Sequence, residues 1–226
     1  MNNGVVENVG INKFYSKIYA FLAMGIGVSA LVSYLILNIF PIVLVTLLNS
    51  TVLFFGLWLL QIGLVLFLGV RAQKNPTLAI SGFLIYSILN GVTISATLLL
   101  YAQATVVSAF VSAAATFGAM ALVGMFTKKD LSAMGHAAYS ALIGIIIAMV
   151  INFFFLRSSA VSFFISILMV LIFAGITAYD NQRIRQVYNE TGGQAGTGIA
   201  VFFALQLYLD FINLFLAFLR IFGKNN

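Results

Sequence analysis

Five acidic side chains occur in this chain of 226 residues, and two of them stand where an acid is costly. Glu7, Asp130 and Glu190 fall in polar stretches, where a solvated charge needs no special account. Asp180 closes an apolar run, in Ala178-Tyr179-Asp180-Asn181-Gln182, and Asp210 lies inside another, in Leu207-Tyr208-Leu209-Asp210-Phe211-Ile212-Asn213. Counted from Gly198 at 1.5 Å per helical residue, Asp210 sits roughly 18 Å into its run. A carboxylate at that depth of a bilayer is tolerated when it is neutral, paired with a cation or in contact with water. Three devices lower its cost: protonation through desolvation, a nearby cation, or a proton shared with a second acid.

The sequence offers candidates for the last two devices. Arg71 ends an apolar run on the same side of the membrane as Asp180, and Asp180 is the second acid. Gln206, Asp210 and Asn213 recur at i, i+4, i+7, which gives one polar face on a helix. Tyr86, Asn90, Thr93 and Thr97 repeat at helical spacing on an earlier run. Two such stripes facing one another would line a narrow polar path.

Other chemistry is poorly provided for. The chain has no cysteine and one histidine, His136, so neither thiolate chemistry nor a His-Glu-x-x-His zinc site is on offer. His136 reads as a helix-end residue. The serines at 158, 159, 162 and 166 have no Gly-x-Ser-x-Gly elbow and no histidine in a motif with them. Thr191-Gly192-Gly193-Gln194-Ala195-Gly196 lacks the Lys-Ser/Thr ending of a phosphate loop and reads as a flexible connector. We expect no enzyme and no bound cofactor.

The elements that position these residues follow from composition. Apolar residues make up 62% of the chain and charged ones 7%, with a mean hydropathy of +1.12. Ordinary soluble domains are roughly 45–50% apolar and 25% charged, so hydrocarbon must be the solvent of the outer face. Seven stretches reach the roughly 20 apolar residues a crossing requires. They are about Ile18–Ile39, Leu47–Val70, Thr77–Tyr101, Thr105–Phe126, His136–Phe155, Val161–Tyr179 and Gly198–Phe222. The expected fold is an all-α membrane protein: a cytoplasmic segment 1–17, a transmembrane domain 18–222 and a tail 223–226. A re-entrant last span, giving six crossings, is the alternative.

The net charge of +6 is explained by topology. Lys13, Lys17, Arg71, Lys74, Lys128, Lys129, Arg183 and Arg185 all fall on one side of a seven-span chain, whereas the opposite loops hold Arg157, and the C-terminus adds Arg220 and Lys224. Positive loops stay cytoplasmic, which places the N-terminus inside and the C-terminus outside, with no nucleic-acid partner. Small residues at intervals of four, Gly25/Ser29/Ser33 and Ala114/Gly118, predict close intramolecular helix packing.

Ala178-Tyr179-Asp180-Asn181-Gln182 resembles the Tyr-Asp-x-Gln element of the Bax inhibitor-1 (transmembrane Bax inhibitor motif) family. Leu205 through Phe215, followed by Leu219-Arg220, is similar to that family's C-terminal signature. The resemblance covers nearly the whole chain and points to the bacterial branch. It implies a seven-helix bundle whose last helix is enclosed by the other six. It also implies a pH-sensitive calcium leak channel in which Asp180 and Asp210 are the proton sensor and Arg71 latches the first of them. Asn90, Thr93, Gln206 and Asn213 would then line the polar pathway, and the two carboxylates would be hard oxygen ligands that hold transported calcium weakly. Sharing one proton, the pair would titrate as a unit and bias the last helix between two packings. The glycine-rich connector, read as spanning Arg183–Gly198, is longer than the family pattern suggests. Two other readings are a proton-coupled transporter and a non-conducting regulator that binds a membrane protease or another membrane protein.

Overall fold

The computed structural model describes residues 3–223, with side chains from residue 10 onward. Lys224 and the last residues of the expected tail lie outside the described residues. Helices account for the described chain, with no strand among the described residues. In chain order they are α1 (Asn3–Asn38), α2 (Pro41–Asn49), α3 (Thr51–Arg71), α4 (Pro76–Leu98), α5 (Gln103–Phe126) and α6 (Ser132–Ile151), then α7 (Ser159–Glu190) and α8 (Thr197–Gly223). A π-helical turn, Asn152–Leu156, extends α6. Seven of these, all but α2, are long and apolar enough to cross a membrane. Hydrocarbon offers no partner for a backbone amide, so a spanning segment must satisfy its own N–H and C=O groups, and helices do so.

The breaks have local causes. Pro41 opens α2 and Pro76 opens α4, each at a first-turn position that needs no amide hydrogen. Asn75 caps α4 by accepting from Leu78 N at 3.1 Å, and Ser50 caps α3 by accepting from Leu53 N at 3.3 Å. The Ser50 cap divides the stretch expected as one span from Leu47, so the crossing begins at Thr51 instead. Two further corrections concern length. The sixth crossing helix does not stop at Tyr179 but runs to Glu190, which shortens the connector to 191–196. Gly192 and Gly193 end it at φ 61° and 79°, a left-handed turn that glycine adopts without strain, and Gly193 N–H returns to the Tyr188 carbonyl at 3.0 Å.

The chain forms two compact units. The first comprises Met1–Leu100 with Tyr188–Tyr208, the second Tyr101–Val187 with Leu209–Asn226. Helix α8 contributes its first half to one and its second half to the other, and it is the enclosed helix. Two-thirds of its apolar window is buried (67%), against 11–39% for the other six. In the first unit α1 packs along α4, and Ser29 and Ser33 donate to the carbonyls of Ser87 and Gly91, both at 2.7 Å. Phe83 of α4 lies against Gly25. In the second unit Phe110 and Phe117 of α5 meet Phe211 of α8 edge-on, with centroids 5.5 and 5.9 Å apart. Helices α3 and α6 bury only 11% of their windows, and Leu59 and Ile143 remain mostly exposed, as side chains solvated by lipid do.

The small-residue pair on α5 behaves differently from expectation. Ala114 is exposed and a Cβ on Gly118 would meet open space. The buried face of α5 is Ala109, Ala113, Phe117, Ala121 and Gly124, because the phenylalanine, not the Ala114/Gly118 pair, marks the side that packs. At Gly124 α5 lies directly against α7: a Cβ there would run into the Ala178 carbonyl and Asn181 Cβ. Leucine at Gly124 is therefore expected to lower stability by about 1–3 kcal/mol through overpacking, while leucine at Gly118 leaves it unchanged. Thermal unfolding of both variants in detergent distinguishes the two sites.

Candidate functional site

The candidate site is built on the stretch of α7 that sequence reading had cut short. Each residue from Tyr179 to Gln182 faces a different neighbour. The Tyr179 ring lies over Gly135 of α6 and 6.4 Å from the His136 ring. Asn181 is buried and donates to the Thr177 carbonyl at 2.8 Å. Gln182 clamps the α5–α6 loop from both ends of its amide, accepting from Leu131 N at 2.8 Å and donating to the Lys129 carbonyl at 2.7 Å. Arg185 donates to the Met125 and Thr127 carbonyls, both at 3.0 Å, and so satisfies the C-terminal carbonyls of α5. These contacts hold the polar end of α7 as helix.

Asp180 is therefore internal. Although it closes an apolar run, only 1% of its surface is exposed. Tyr139 of α6 donates to it, with the hydroxyl 3.2 and 3.3 Å from the two carboxylate oxygens. Arg183, one turn along α7, is the cation that acts on it. Asp210 is 4% exposed in the second half of α8, lies in the field of Asp180, and its Oδ2 is buried without a hydrogen-bond partner. Both acids also act on Tyr139. The second unit thus holds two buried carboxylates, one phenol and one guanidinium within electrostatic reach. Tyr139 was missed because it is 37% exposed and lies on a helix whose sequence shows no polar stripe. Its spacing of three from His136 was the available signal.

The remaining sequence candidates divide as follows. Arg71 is exposed at the last turn of α3, in the first unit. Asn90 and Thr93 are brought together by Gln61 of α3, whose Oε1 accepts from them at 3.3 and 3.5 Å. Tyr208 of α8 joins this group by donating to Asn90 Oδ1 at 3.0 Å. Gln61 escaped notice as a single polar residue in a long apolar run. Gln206 keeps a buried Oε1 with no partner, and Asn213 donates to the Leu209 carbonyl of its own helix at 2.8 Å. A buried acceptor left unpaired costs on the order of 1–3 kcal/mol, a cost that the free oxygens of Gln206 and Asp210 carry.

The serine cluster is structural. Asn152 donates to Ser162 Oγ at 2.8 Å and accepts from Ser158 N at 3.1 Å, which ties off the π-helical turn ahead of α7. His136 is exposed in the second turn of α6. Among the described residues, no three His, Cys, Asp or Glu side chains gather as a metal centre.

Seven helices long and apolar enough to cross a membrane, the most buried of them carrying an acid on which a second acid acts, define a polytopic α-helical membrane protein. The family described as inhibitor of apoptosis-promoting Bax1 matches residues 11–226. A membrane protein of Streptococcus pyogenes serotype M1 is 47% identical over 230 residues, spanning all of both chains. The inner membrane protein YbhL of Escherichia coli K12 is 35% identical over 224 residues, covering 97% of this chain and 95% of the relative. The protein YrjE of Lactococcus lactis is 47% identical over 215 residues, covering 95% and 92%. The chain belongs to the Bax inhibitor-1 family.

Asp130, in the loop that Gln182 clamps, lies outside the spans and offers a pH probe of this end of the molecule. The Ser132 hydroxyl and then its backbone N–H hold the Asp130 carboxyl below its ordinary value. A depressed carboxylate favours the folded form above its unfolded pKa and loses that contribution as pH falls through its folded pKa. Ser132→Ala is expected to move the Asp130 titration upward, towards the ordinary carboxylate value. An NMR titration of the Asp130 carboxyl carbon checks it.

Proposed function

We propose that this protein is a pH-sensitive leak channel for calcium or a similar cation, in a plasma (inner) membrane, and not an enzyme. Its gate is the pair Asp180 and Asp210. The observation that carries the reading is the setting of Asp210: a carboxylate enclosed on the most buried helix, with one oxygen unpartnered and a second carboxylate acting on it. Two carboxylates in a dry site respond as a unit when a proton arrives or leaves. Each change of charge alters which contacts α8 prefers, and a helix buried along its length repacks between discrete arrangements rather than deforming.

Tyr139 steadies Asp180 from the partly exposed side, and Arg183 supplies the nearby positive charge. Arg71, at the end of α3, is the latch that the family resemblance suggests for the ionised form. When the path is open, carboxylate oxygens of Asp180 and Asp210 suit a hard cation, and so small a ligand set favours passage over retention. Asn90, Thr93, Gln206 and Asn213 supply further polar lining. Basic residues at Lys13, Lys17, Arg71, Lys74, Lys128, Lys129, Arg183 and Arg185 support a cytoplasmic N-terminus and an outer C-terminus under the positive-inside rule.

The test is calcium flux into liposomes carrying the purified protein, at several pH values, for wild type and Asp210→Asn. Wild type should exceed empty liposomes with a flux that changes with pH, and the variant should lose the pH response while remaining folded. A variant that keeps the full response would falsify the gate. Absence of flux in folded wild type at every pH would exclude conduction altogether.

A further inference from the structure

The turn between α6 and α7 borders an open cavity of about 510 Å³, lined by Asn152, Phe153, Phe154, Arg157, Ser158 and Ser159 among others. Its inner polar contacts hold the turn together. Asn152 Oδ1 accepts from Ser158 N at 3.1 Å, and the Asn152 carbonyl accepts from Arg157 N at 2.7 Å. The Ser158 carbonyl accepts from Asn152 Nδ2 and Ser162 Oγ at 3.2 and 3.1 Å. Donors are left over on the cavity side. The Arg157 guanidinium and the Ser159 hydroxyl have no hydrogen-bond or ion-pair partner among the described residues. Ser158 Oγ accepts from Val161 N at 3.3 Å and keeps its own hydrogen unused. No Asp or Glu lines the cavity. A cation there would meet a guanidinium and no carboxylate, whereas an anion would find the donors it requires.

Depth and surroundings narrow the anion. The span that ends here runs 25 residues, Ser132–Leu156, which is roughly 37 Å of helix against a hydrocarbon core of about 30 Å. A cation directly after Leu156 stands at the level of the lipid headgroups. The three rings before it, Phe153, Phe154 and Phe155, are 63–79% exposed, and Phe153 meets Phe154 edge-on at 5.0 Å. Arg157 itself holds the left-handed conformation, at φ 49°, which glycine adopts freely and an arginine does not. The turn has no need of a guanidinium.

We propose that this cavity is a phospholipid headgroup site, in which Arg157 and the hydroxyls of Ser158 and Ser159 hold the phosphate diester while the acyl chains lie along Phe153 and Phe154. A guanidinium fork matches two oxygens of one phosphate. The apolar rim selects a phosphate tethered to chains, because the rings add burial that a free phosphate cannot use. No carboxylate awaits a headgroup amine, so an anionic phospholipid fits best. The site lies within the second unit and does not depend on conduction.

Native mass spectrometry of the full-length protein in a nonionic detergent, titrated with dioleoylphosphatidylglycerol, tests the assignment. Arg157→Gln should weaken binding of the first lipid roughly tenfold, the weight of one charge-assisted hydrogen bond, with thermal unfolding in lipid-free detergent unchanged. Arg220→Gln, which removes another exposed cation, should bind as wild type does. Neither dioleoylglycerol (chains without phosphate) nor inorganic phosphate (phosphate without chains) should displace the lipid at matched concentration. Equal loss in both arginine variants means attraction by net charge alone, and that result, or no loss in Arg157→Gln, overturns the site. Displacement by dioleoylglycerol would leave only an apolar groove, and displacement by inorganic phosphate only a free-anion site; either overturns the phospholipid assignment.

Discussion

Hydrocarbon offers a polar group no partner, and this protein nevertheless buries an ionisable acid in the middle of an apolar run. A lipid-facing helix carrying Asp210 would incur several kcal/mol. The helix that bears it must be surrounded by protein, and its neighbours must then supply the polar contacts that water would have made. The burial of α8 follows from this requirement, as does the exposure of α3 and α6, which carry no acid and give most of their surface to lipid. The concentration of buried polar side chains follows too, since Ser29, Ser87, Gln61, Asp180 and Asn181 are all enclosed.

The two halves of α8 meet the requirement in different ways. In the first unit, neutral groups answer one another: serine, tyrosine, asparagine, glutamine and threonine on four helices form a hydrogen-bonded circuit. In the second unit, charge is answered by charge and by a phenol, through Asp180, Tyr139 and Arg183. A neutral circuit can rearrange by rotating hydroxyls, with no ion crossing low-dielectric space. A charged cluster rearranges when a proton arrives or leaves. Tyr208 and Asp210, two residues apart in α8, belong one to each arrangement.

Most of the fold was legible because its grammar is simple. Long apolar runs, Pro41 and Asn75-Pro76 located the helices. The failures share a cause. The end of α7 was misplaced because its last turns are polar, and apolar periodicity cannot distinguish a solvated loop from a helix whose polar side chains are bonded to protein. Gln182 and Arg185 make those turns helical by clamping the α5–α6 loop, a long-range contact with no local signature. Ala114 and Gly118 misled for the opposite reason, since small-residue spacing permits close packing and does not require it.

The acids themselves were found from sequence alone because their cost is local: any acid deep in an apolar run demands an explanation wherever its neighbours lie. Their helpers were not found, because each one is ordinary where it stands. Gln61 is a lone amide that bonds its own backbone until Asn90 and Thr93 are brought beside it. Tyr139 resembles an interfacial tyrosine until Asp180 is seen under its hydroxyl. Tyr208 is one aromatic residue in an apolar run until Ser29 and Asn90 are brought to its hydroxyl. An ionisable group announces itself by what it lacks. A neutral partner acquires its role from geometry, and the acids of a membrane helix are correspondingly easier to read than the residues that hold it in place.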